Sequence, residues 1–113
     1  MNRAMLIGNV GETPVLNKTN GRGISVINFR VATNERFVQN GEEKNDTTWH
    51  HCVAWGGLAE LIADHVEKGM KVYIEGKIQN TNYEAPDGQK RFKSEIKIDK
   101  IEWFTLRDDR KEE

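Results

Sequence analysis

Apolar and polar positions alternate along most of this chain, a period of two that predicts strands rather than helices. Met5 to Val10 is a short apolar run closed by Gly11 and reads as a first strand, with Val15-Leu16 continuing it after Pro14. Asn20-Gly21 is a tight-turn dipeptide, and a second strand is expected from Ile24 to Asn34. Within it Ile27, Phe29 and Val31 share one face, while Val26, Asn28, Arg30 and Ala32 share the other. Residues 35–46 are polar around Asn40-Gly41, so a long mobile hairpin carrying Phe37 is expected before a third strand, Thr48 to Trp55. Leu58, Leu61, Ile62 and Val66 then recur at helical spacing, and Gly69 after Lys68 is the expected left-handed cap. From Met70 to Asn82 the alternation returns. Val72, Ile74 and Ile78 are assigned inward, and Lys71, Tyr73, Glu75, Lys77, Gln79, Thr81 and Tyr83 outward. Asp87-Gly88 marks another hairpin tip, after which Phe92, Ile96 and Ile98 alternate with Arg91, Lys93, Glu95 and Lys97. The parity slips before Ile101, which calls for a bulge near Asp99-Lys100.

This order describes an all-β chain with one helix: a five-stranded barrel whose helix lies between strands 3 and 4. That is the arrangement of the oligonucleotide/oligosaccharide-binding (OB) fold, which closes on itself and leaves no free edge. One domain is expected over residues 1–106, followed by a short disordered tail at 107–113. The hairpins at 35–46 and 83–90 would frame a ligand.

The third strand inverts the usual polarity. Trp49, His51, Val53 and Trp55 share one face, and the smaller Cys52 and Ala54 share the other, so the large rings are turned outward. Phe37, Trp49, Trp55 and Tyr83 lie among Arg30, His51, Lys71, Lys77, Arg91 and Lys93. Aromatics interleaved with cations suit single-stranded nucleic acid, whose unpaired bases offer π-faces and whose phosphates need positive charge. Any one ring could instead pack beneath a loop or at a subunit contact. Four in one pattern favour stacking.

Charge narrows the picture without deciding it. The formal net charge is −1, so any attraction to nucleic acid must be local. Residues 1–34 carry Arg3, Lys18, Arg22 and Arg30 against Glu12 alone, whereas 35–69 are acidic. The single cysteine, Cys52, cannot form an internal disulfide, and no secretory run opens the chain, so a cytoplasmic, nucleoid-associated protein is expected. No apolar stretch approaches the ~20 residues of a membrane span. Catalysis finds little support. His50 and His51 point to opposite sides of a strand, His65 falls on the helix, and the paired spacings of metal sites are absent. Glu60, Asp64 and Glu67 read as a solvated helix face, and Gly21-Arg22-Gly23 is too short for a phosphate loop. The expectation is a binding protein that is not an enzyme, with no metal and no cofactor.

Leu6-Ile7-Gly8-Asn9-Val10-Gly11 with Pro14, Ala32-Thr33-Asn34-Glu35-Arg36-Phe37, Trp49-His50, Gly57-Leu58-Ala59-Glu60, Lys68-Gly69, Val72-Tyr73-Ile74-Glu75-Gly76-Lys77 and Asp87-Gly88 are specific when taken together. Across about residues 2–104 the chain resembles the bacterial single-stranded-DNA-binding protein family. The resemblance implies a homotetramer that binds and protects single-stranded DNA without sequence preference in replication, recombination and repair. It implies stacking at Phe37, Trp49, Trp55 and Tyr83, a subunit-contact role for His50, and replication and repair proteins as further partners. The family often has arginine where His51 stands. It also tends to place basic residues where this chain has Gln79, Asn80, Thr81 and Asn82, so a shallower salt dependence is expected. The linker and acidic tail common in the family are not present before the chain stops at Glu113. The competing reading is a primosomal-type OB-fold interaction protein for which DNA is secondary.

Overall fold

The computed structural model describes residues 1–19 and 23–104, so the expected Asn20-Gly21 turn and the tail at 107–113 lie outside the described residues. The elements are β1 (Ala4–Val10), β2 (Val15–Lys18), β3 (Ser25–Gln39), β4 (Glu42–Trp55), α1 (Gly56–His65), β5 (Lys71–Glu84) and β6 (Lys90–Phe104). Neighbours run β1-β5-β6-β4-β3-β2, and an additional β1–β3 pairing closes β1, β5, β6, β4 and β3 into a five-stranded barrel. All pairings are antiparallel except β4–β6. The expected barrel with one helix is therefore observed. The helix falls between β4 and β5 rather than strands 3 and 4, because Val15–Lys18 pairs with β3 as a strand of its own.

The core is built as the alternation requires. Ile27, Phe29 and Val31 of β3, Cys52 and Ala54 of β4, and Val72 and Ile74 of β5 are all buried. Ala59 and Ile62 of α1 close the barrel, and Ser25 donates to Glu60 (2.7 Å), tying β3 to the helix. The bulge forms where the parity slipped. Glu75 pairs with Lys100 and Gly76 with Ile98, which leaves Asp99 as the extra residue. A side chain at Gly76 would overlap the Lys97 carbonyl oxygen, so the two backbones cross there only because Gly76 has none.

Four local expectations are corrected. Residues 35–46 are paired strand, not a long loop: the β3–β4 ladder runs to Gln39↔Glu42, and the turn is Asn40-Gly41 alone, with φ of 54° and 80°. Alternation could not reveal it because every side chain from Asn34 to Trp49 is exposed. Ile78 and Phe92 have inward parity but are 47% and 66% exposed, because β5 and β6 outrun the barrel and have no opposite wall there. Leu61 is also exposed, since the face turned to the core is Ala59, Ile62 and Ala63. The helix ends at His65 with Val66 extended, so Gly69 (φ 89°) caps nothing. Its N–H donates instead to the Val10 carbonyl at 2.8 Å, leading the chain into β5.

Candidate nucleic-acid interface

Cross-strand register assembles one outward face from four strands. Val26, Asn28, Arg30 and Ala32 of β3 lie opposite Trp55, Val53, His51 and Trp49 of β4. On the other side of β4, Val53 neighbours Lys97 of β6. Lys97, Glu95, Lys93 and Arg91 in turn oppose Lys77, Gln79, Thr81 and Tyr83 of β5. Residues directly opposite project to the same side, so both tryptophans, His51, Arg30, Lys77, Lys93, Arg91 and Tyr83 belong to one continuous surface.

The tryptophans are half open: Trp49 is 47% and Trp55 43% exposed, over a strand whose other face, Cys52 and Ala54, is in the core. Trp49 rests against Gly11, where a Cβ would collide with the indole edge. The Arg30 guanidinium stands 4.7 Å from its ring centroid. Trp55 occupies the N-cap of α1 in an extended conformation (φ −130°, ψ 153°) and makes no capping bond, which leaves its ring on the sheet.

Charge on this face is largely spoken for. Arg30 donates through Nε to Glu12 Oε1 at 3.1 Å and its backbone N–H donates to Oε2 at 3.0 Å. Arg91 pairs with Asp87 at 3.0 Å, and Lys93 with Glu95 at 3.6 Å. Lys77 and Lys97 make no ion pair with any described residue. Glu95 is buried, accepts from Thr81 Oγ1 at 2.7 Å, and lines a groove with Glu12, Arg30, His51 and Lys93. Beneath it the Cys52 thiol is pushed up to about 12 by burial and by the charge of Glu95, so it stays protonated.

Three expected residues sit apart from this group. Phe37 is 44% exposed on the β3–β4 arm opposite Lys44, but its parity is that of Phe29 and Val31, the reverse of Trp49. Lys71 shares a register row with Trp49 through Asn9 and Ala32, three strands away around the barrel. His50 faces away as expected. Its Nε2 lies 2.9 Å from Thr33 Oγ1, and burial lowers its pKa. It borders a concavity of about 760 Å³ whose lining includes the exposed Met5, Ile7 and Ile78. Two residues went unrecognised from sequence: Lys97, which alternation marked only as outward, and Phe92, whose exposure follows from the length of the arm. Among the described residues no cluster of His, Cys, Asp and Glu could hold a metal, and no helix is long and apolar enough to cross a membrane.

A model of the single-strand binding protein family matches residues 1–104. The single-stranded DNA-binding protein 1 of Chlorobaculum tepidum is 40% identical over 98 residues, which cover 85% of this chain and 60% of the relative. The single-stranded DNA-binding protein of Clostridium tetani is 38% identical over 104 residues, 92% of this chain and 70% of that one. This chain thus spans well under the full length of both. Among solved structures, the Plasmodium falciparum SSB complex with ssDNA superposes with a TM-score of 0.82 at 30% identity, covering 93% of this chain and 96% of that one.

Proposed function

The chain belongs to the single-strand binding protein family, and from that premise we propose that it binds and protects single-stranded DNA without sequence preference, in replication, recombination and repair. The observation that carries the reading is the inverted third strand. Trp49 and Trp55 stand outward on one face while the far side of the same strand is sealed in the core, so the rings have a rigid base and an open top. Unpaired bases stack on them, whereas a duplex keeps its π-faces hidden. Tyr83 extends the stacking along the β5–β6 arm, and Phe37 contributes from the β3–β4 arm. Arg30, His51, Lys71, Lys77, Arg91 and Lys93 serve the phosphates. The protein acts by binding and has no catalytic step.

The same reading includes self-association. Met5, Ile7 and Ile78 form an exposed apolar surface beside half-buried His50, which supports a subunit contact there and a homotetramer as the assembly. Trp49→Ala and Trp55→Ala test the stacking. Each weakens binding to oligo-dT by about 1–3 kcal/mol, the range found for such stacks in proteins of this kind. A loss smaller than titration error at either position makes that ring structural instead.

A further inference from the structure

We infer that Lys97, together with Lys77, holds a DNA phosphate at the centre of the β4–β6–β5 face; the inference rests on the single-strand-binding reading and deepens it. The two lysines are directly opposite each other across β5 and β6. Like charges so placed repel, whereas a carboxylate in one of the two positions would be favourable. Here every other cation of the face has such a partner: Arg30 has Glu12, Arg91 has Asp87 and Lys93 has Glu95. Lys77 and Lys97 have none among the described residues.

An uncompensated pair of positive charges on a rigid sheet calls for an anion from outside. The position specifies which. Lys97 adjoins Val53, between Trp49 and Trp55 in the run of β4, while Tyr83 and Arg91 lie farther along the β5–β6 ribbon. A strand stacked on the tryptophans and continuing towards Tyr83 passes its backbone over this pair. The Lys97 backbone is fixed by the close approach of Gly76, and the residue is half-buried on the sheet. The pair also compensates for the neutral run Gln79, Asn80, Thr81 and Asn82. Positive charge enters one strand over, from β6, and at the inner end of the ribbon.

The test is the salt dependence of binding to oligo-dT, read by tryptophan quenching, for the wild type, Lys77→Gln, Lys97→Gln, the double variant, and Lys97→Arg. Each phosphate contact on a single strand contributes roughly 0.7 to the slope of log K against log salt concentration. Each glutamine variant lowers the slope, and the double variant lowers it by about 0.7, the contribution of the one phosphate the pair holds. Lys97→Arg, which keeps the charge, retains the wild-type slope, and full quenching at saturation persists in all because stacking is untouched. A double variant with the wild-type slope overturns the inference while leaving single-strand binding in place, as does a slope that Lys97→Arg fails to preserve. A wild type that shows no quenching with oligo-dT overturns the parent reading and this inference with it.

Discussion

Arg30 shows how a residue's direction can be legible in the sequence while its partner is not. Alternation put it outward on β3, and it is outward, against the Trp49 ring. Its charge, however, is held by Glu12, which lies 18 positions earlier and reaches it only because β1 and β3 meet where the barrel closes. Such a partner is invisible to a pattern of local periodicity. The guanidinium therefore stands against the indole with its charge already shared by Glu12. Replacing Glu12 by Gln removes the counter-charge and keeps the hydrogen-bonding shape. Oligo-dT affinity at low salt is then expected to rise, and the salt slope to steepen by up to about 0.7. Affinity that falls instead, in an isothermal titration, would show that Glu12 is needed to place Arg30 rather than to neutralise it.

At the scale of elements, the sequence was legible wherever one face was wet and the other dry. The inward sets of β3, β4 and β5 within the barrel and the bulge at Asp99 all followed from a period of two. The arms were not legible, because a two-stranded ribbon exposed on both sides has no polarity to read, and ladder pairing sustains it out to the Asn40-Gly41 turn. The root of the β3–β4 arm carries a pH response. Burial holds the His50 imidazole below its ordinary pKa of 6.5, so the unfolded chain takes up a proton more readily than the folded one. The stabilisation is complete above that ordinary value and is lost as pH falls through it towards the lowered folded-state value. Thermal melts from about pH 7.5 to about pH 5 should show Tm falling, with a shallower fall in His50→Asn. Identical pH profiles would remove His50 from the account.

For the whole molecule, the radius of gyration is 16.6 Å, against roughly 13 Å for a compact chain of this length. The net charge of −1 offers no long-range pull, so binding has to come from the local face: stacking rings first, then the few cations not already paired. The pattern of aromatics and cations picked out the four stacking candidates, but only the folded register separates Phe37 from the tryptophans and brings Lys97 among them. The central claim is that open rings on β4 recognise unpaired bases. Of the three tryptophans, Trp103 is half-buried and stacked on His65 with centroids 5.1 Å apart, which makes it a steady background. Tryptophan emission is therefore the most direct measurement. Titration with poly-dT is expected to quench it strongly and duplex of the same length much less, whereas an equal response to both would contradict the account.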